Sequence, residues 1–133
     1  MKLVVDTNVL LAGIATDGFC RDIIKRQVLS FELFTSQVLL DELAEKLREK
    51  FHLNPGELPL LKLYASEATI LKPKPLSAAI CRDSDDDEML AIALTAKADM
   101  ILTGDKDLLV LKEFQGIKII SPRQFLELLN VQK

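Results

Sequence analysis

Leu3, Val4 and Val5 are three apolar residues in succession, and the residue that follows them, Asp6, is an acid. A strand with one face in water alternates apolar and polar side chains, whereas a strand apolar at successive positions is covered on both faces. Residues 2–6 (KLVVD) therefore read as a short, fully buried strand of the kind found in parallel sheets. Residues 31–35 (FELFT), 69–71 (TIL), 100–103 (MILT) and 117–120 (IKII) read as four more strands.

Helical patterns fall between them. Phe19, Ile23, Ile24 and Val28 have helical spacing after a loop at Asp17-Gly18. Ser36 is placed to cap a helix carrying Leu39, Leu40, Leu43, Leu47 and Phe51. Asn54-Pro55 opens another, with Pro in its first turn. Residues 72–76 (KPKPL) are a loop, since neither proline fits a helix interior. Residues 84–98 form a strongly apolar helix, and Ser121-Pro122 opens a last helix with Phe125, Leu128 and Leu129.

Strands alternating with helices imply right-handed βαβ units. The expected fold class is α/β, a three-layer α/β/α sandwich on a short parallel sheet of about five strands. The 133 residues, without repeat or linker, are read as a single domain spanning 1–133. The longest apolar run is Met89 to Leu94, far short of a membrane span. Asp6 interrupts the only N-terminal stretch that resembles a secretory signal. Cys20 and Cys81 are far apart, form no CxxC, and read as reduced packing residues in a cytoplasmic protein.

The net charge of −3 argues against a generic nucleic-acid binder, but the distribution matters more than the sum. Nine acids are placed to gather at one edge of the fold: Asp6, Glu42, Asp83, Asp85, Asp86, Asp87, Glu88, Asp105 and Asp107. Removing these nine from the twenty acids leaves eleven against seventeen Lys and Arg, a basic remainder that tolerates a polyanion.

Open parallel sheets bind ligands beyond the carboxyl ends of their strands. Asp6 ends the first strand and Asp105 follows the fourth after Gly104. Glu42 lies about two turns into the helix after the second strand, and Asp86 in the first turn of the helix before the fourth. Each has a purely structural reading as well: acids at a helix start favour its dipole, and Ser84 with Asp87 fits a capping box. Asp6 is the most telling, because an acid directly after a buried run needs a partner and no base is near it in sequence. Thr7 and Asn8, which follow it, can both hydrogen-bond a carboxylate.

Clustered carboxylates repel one another unless cations neutralise them. An all-oxygen set without His or Cys selects a hard cation, Mg²⁺ or Mn²⁺, and such a cage suits phosphodiester hydrolysis. Other chemistries lack their parts. His52 is isolated and reads as a surface residue. There is no P-loop, GxSxG or GxGxxG, and the glycines at 13, 18, 56, 104 and 116 read as turn residues.

The segments D6-T7-N8-V9-L10-L11, E42-L43, R82-D83-S84-D85-D86-D87 and A98-D99-M100-I101-L102-T103-G104-D105-K106-D107-L108 together resemble the PIN-domain nucleases. The match is nearest to the VapC-like toxins of prokaryotic toxin–antitoxin pairs and runs from about residue 3 to 128. The resemblance implies an α/β/α sandwich, Mg²⁺- or Mn²⁺-dependent cleavage of RNA, a homodimer, and a small antitoxin protein as partner. By position the family's four acids fall on Asp6, Glu42, Asp86 and Asp105, taken as catalytic residues and metal ligands. Thr103 matches the hydroxyl residue two before the last acid, and Asn8 the polar residue that supports the first. Asp83, Asp87 and Asp107 are supporting acids. Ser84 departs from the proline common in close relatives. Helix phase leaves Asp86 and Asp87 equally placed; the family spacing to the A91-I92-A93 segment selects Asp86.

In the expected mechanism Asp6, Asp86 and Asp105 hold the metal, and Glu42 completes the cage or orients the attacking water. Three other functions share parts of this pattern. A phosphoacceptor signalling domain needs a Lys after its last strand, where this chain has Ser121-Pro122-Arg123. A DxD phosphohydrolase needs an acid at position 8, which is Asn. A silent PIN-like interaction module has no need of all four acids.

Overall fold

The computed structural model describes residues 1–81 and 84–131. In chain order, β1 (Lys2–Val5) leads through α1 (Thr7–Ala15) and α2 (Phe19–Arg26) to β2 (Glu32–Ser36), α3 (Gln37–Phe51), α4 (Pro59–Glu67) and β3 (Thr69–Leu71). The second half runs α5 (Ser84–Ala96), β4 (Met100–Leu102), α6 (Lys106–Leu109), β5 (Glu113–Phe114), β6 (Ile117–Ile120) and α7 (Pro122–Val131).

The strands form one sheet in the order β3-β2-β1-β4-β6-β5. Five strands are parallel, and β5 runs antiparallel at the edge. This sixth strand is absent from the sequence reading. Its hairpin turns at Gln115 (φ 49°) and Gly116 (φ 85°), two successive left-handed residues of the kind a tight two-residue hairpin requires.

The buried strands divide their side chains between two cores. Leu3 and Val5 of β1, with Met100 and Leu102 of β4, face a cluster that includes Val9, Leu10, Ile24, Leu43, Leu47, Tyr64 and Phe125. Val4 and Ile101 point the other way, into Met89, Leu90, Ile92, Ala93, Leu108, Ile117 and Ile119. Helices α1 to α4 and α7 thus cover one face and α5 with α6 the other, giving three layers. Among the described residues no helix is long and apolar enough to cross a membrane.

Three local expectations are corrected. Residues 7–15 form α1, which no pattern announced; Val9, Leu10, Leu11, Gly13 and Ile14 are all buried, so the helix shows no polar stripe. Gly13 is accordingly no turn residue. It lies inside α1, where an added Cβ would clash with Ile24 Cδ1 and lie 3.3 Å from the Arg21 backbone N. Asn54-Pro55 starts only the single 3-10 turn Pro55–Glu57, with the Gly56 N–H donating to Asn54 Oδ1, and α4 starts at Pro59.

Two caps follow the sequence closely. Ser36 caps α3 by accepting from the Leu39 N–H. Ser121 caps α7 reciprocally: its Oγ accepts from the Gln124 N–H while its own N–H donates to Gln124 Oε1.

Candidate active site

The chain moves outward from β1 to β2 and β3, then returns to place β4 on the other side of β1. Connections leave in opposite directions at that point and open a crevice at the carboxyl ends of β1 and β4. Val5 pairs with Leu102 in register, so the next residues, Asp6 and Thr103, face each other across the crevice.

Asp6 performs two tasks. It caps α1, with Oδ1 accepting from the Asn8 N–H at 3.1 Å, while Oδ2 accepts from the Thr103 hydroxyl at 2.5 Å. Asn8 therefore contributes its backbone, and its side chain is exposed. Thr103 Oγ1 in turn accepts from the Asp105 N–H at 3.0 Å, and Asp105 Oδ1 accepts from the Asp107 N–H at 2.8 Å to start α6. A chain of hydrogen bonds thus runs from the end of β1 to the loop after β4.

Glu42 enters from α3 and Asp86 from α5. Both line one small cavity of about 40 Å³ with Asp6, Thr7, Asn8, Leu39, Lys46, Met89 and Asp105. Asp6 and Asp86 are each only 6% exposed. Burial raises the Asp6 carboxyl above its ordinary value; the Thr103 and Asn8 donors and Lys46 oppose that push, and Asp105 adds to it. Asp86, Asp105 and Asp107 each bring a carboxylate oxygen within 4.8 Å of the others. Asp6 and Glu42 border the same cavity but stand outside that tightest trio. Among the described residues the lining has no His or Cys, so its donor set suits a hard divalent cation.

The neighbouring acids are placed differently. Asp87 turns to the preceding loop, where its carboxylate accepts from the Ile80 N–H at 3.2 Å and the Cys81 N–H at 2.8 Å. Ser84 is the first residue of α5, and the Asp87 carboxylate, expected in a capping box with Ser84, is engaged by these loop N–H groups. Glu88 Oε1 accepts from the Ser36 hydroxyl at 3.1 Å, tying α5 to the start of α3. Asp83 lies outside the described residues. The Cys81 thiol is pushed up to about 11 by burial first and then by Asp87 and Asp86, which keeps it protonated at neutral pH. His52 is exposed and ends α3 in a left-handed conformation, φ 54°.

Lys46 was passed over in the sequence. Its Nζ lies 2.8 Å from Glu42 Oε1. The signal was the four-residue spacing from Glu42, which puts both on one face of α3.

Residues 2–107 match the family model described as the PIN domain. The uncharacterized protein MJ1680 of Methanocaldococcus jannaschii is 29% identical over 145 aligned positions, spanning 96% of this chain and 90% of that protein. A chain in the solved structure of FitAB bound to an IR36 DNA fragment has the same fold. It superposes with a TM-score of 0.62 over 90% of this chain and 94% of its own, at 14% identity.

Proposed function

The chain belongs to the PIN domain family, and on that premise we propose that it is a divalent-metal-dependent endoribonuclease, the VapC-like toxin of a toxin–antitoxin pair. The observation that carries this reading is the meeting of Asp6, Glu42, Asp86 and Asp105 around one cavity at the sheet's switch point. These acids come from four separate segments, and a fold keeps such like charges together only where a cation offsets them. Asp6, Asp86 and Asp105 are assigned to hold Mg²⁺ or Mn²⁺, with Asp107 close enough to assist.

When bound, the ion supplies Lewis acidity toward the phosphodiester and toward the attacking water. The chain's own residues do the rest. Thr103 holds the Asp6 rotamer, and the Asp105 N–H bond to Thr103 keeps the two strand ends in step. Glu42 presents a carboxylate to the cavity that completes the cage or orients water. The RNA backbone approaches over the mouth of the crevice. A homodimer, a small antitoxin partner and a cytoplasmic location complete the proposal.

The test is incubation of purified protein with a mixed RNA pool in Mn²⁺, in Mg²⁺ and in EDTA. Cleavage with either metal and none in EDTA is the expected result. Cleavage that persists in EDTA would overturn the metal mechanism, and cleavage of DNA alone would overturn the substrate class.

A further inference from the structure

The charged residues of α3 divide into two sets. Asp41, Glu45, Arg48, Glu49 and Lys50 are exposed, whereas Glu42 and Lys46 turn toward the acid-lined cavity. Their side chains are 18% and 29% exposed, and they form an ion pair of 2.8 Å. Among the described residues that line the cavity, Lys46 is the one cation, facing Asp6, Glu42, Asp86 and Asp105.

We propose that Lys46 is a tethered counterion that competes with the divalent cation for Glu42 and thereby sets how tightly the site binds metal. The inference rests on the metal-dependent reading above and concerns a residue that reading does not use. In the metal-free protein the ammonium neutralises part of the acid cluster, and its field is felt at Asp6, where it opposes the effect of burial. A dication entering the cavity must take Glu42 from Lys46 or tolerate a positive charge a few ångströms away. Both reduce affinity, and both are felt more strongly in a partly buried cavity than in water. Metal occupancy then follows the free cation concentration instead of saturating at trace levels. If the pair were only an i,i+4 surface contact, it would support the helix weakly and leave metal affinity unchanged.

Lys46→Met and Lys46→Gln remove the charge, Lys46→Arg keeps it, and Glu42→Gln removes the contested ligand. Mn²⁺ binding is read from the electron paramagnetic resonance signal of free Mn²⁺ on the full chain, with melting of the metal-free protein in parallel. Lys46→Met and Lys46→Gln are expected to bind Mn²⁺ about tenfold more tightly than the wild type. Both should also melt lower without metal, while Lys46→Arg stays near wild type. In the Glu42→Gln background the gain from Lys46→Met should largely disappear, as coupling through Glu42 requires. Unchanged or weaker Mn²⁺ binding in both neutral variants overturns the proposal, including the case in which only the KM for RNA rises, which would make Lys46 a phosphate contact. A wild-type protein that binds no Mn²⁺ overturns the metal reading itself, and this inference falls with it.

Discussion

Thr103 donates its hydroxyl to Asp6 Oδ2 at 2.5 Å, joining the end of β4 to the end of β1. Thr103 is fully buried and Asp6 nearly so, so the bond forms away from competing water. Thr103→Val keeps the shape and removes both the donor to Asp6 and the acceptor for the Asp105 N–H. Loss of such a bond behind a proposed metal ligand is expected to lower the cleavage rate by about 10–100-fold. The stranded groups should cost about 1–2 kcal/mol of stability. Thr103→Ser should restore most of the rate. Cleavage kinetics beside urea unfolding check this, and a Thr103→Val variant with normal rates would show that the hydroxyl does not position the acid.

Asp6 should also leave a mark on stability. Its carboxyl sits above the ordinary value of 3.8, chiefly through burial, so the folded chain holds that proton more tightly than the unfolded chain does. Stability of the metal-free protein therefore falls as pH rises from 3.8 through the raised value. Asp6→Asn removes this dependence and keeps an N-cap of equal quality for α1. In EDTA at pH 7 the variant should melt at or above the wild-type temperature, and the difference should shrink toward pH 4. Its cleavage rate in Mn²⁺ should drop at least about a hundredfold. Melting across that pH range decides; a variant less stable at every pH would make Asp6 a structural residue first.

The centre of the sheet was legible because β1 and β4 are buried on both faces and so carry unbroken apolar runs. Leu3, Val4 and Val5 announce β1, and Met100, Ile101 and Leu102 announce β4, with alternate residues in the two cores. Helix α1 was not legible for the same reason: burial on nearly every side erases the amphipathic period. Asp6 caps that helix, a local signal overshadowed by its more obvious reading as a site acid. The β5 hairpin did carry a turn signal at Gln115-Gly116, but Glu113–Phe114 is too short to show any period. At the site, the four acids could be placed at one edge from their positions beside strand ends and in the adjoining helices. The Asp6–Thr103 bond needed the register of β1 on β4, and the inward turn of Lys46 needed the rotation of α3 about its axis.

Gly13 offers a test of the fold apart from the chemistry. It is where α1 crosses α2, and Arg21 of α2 donates to the Gly13 and Ile14 carbonyls at 2.8 Å each. Alanine is the better helix former, by about 1 kcal/mol. Here its Cβ would press on Ile24, a fully buried core residue, and on the α2 backbone. Overpacking of about 1–3 kcal/mol should prevail, so Gly13→Ala is expected to lower the melting temperature while leaving the Mn²⁺ dependence of cleavage unchanged. A more stable Gly13→Ala variant would show that the two helices separate easily.

The last prediction separates Asp86 from Asp87, neighbours on α5 that the structure sends in different directions. Asp86 is 6% exposed and borders the cavity with Asp6, Glu42 and Asp105. Asp87 accepts from the Ile80 and Cys81 N–H groups and so holds the loop that leads into the helix. Asp86→Asn removes one like charge from a crowded site, which relieves repulsion in the metal-free protein, and it removes a proposed ligand. It should cost at least about a hundredfold in cleavage rate with little or no loss of stability. Asp87→Asn keeps one acceptor oxygen and loses the charge that strengthens its bonds to the loop. It should cost about 1–2 kcal/mol in unfolding free energy and change the rate only a few-fold. Cleavage rates and chemical unfolding of the two variants, measured side by side, give the comparison. An inactive Asp87→Asn beside a normal Asp86→Asn would mean that α5 presents the other acid to RNA, and the cavity assignment would have to be redrawn around Asp87.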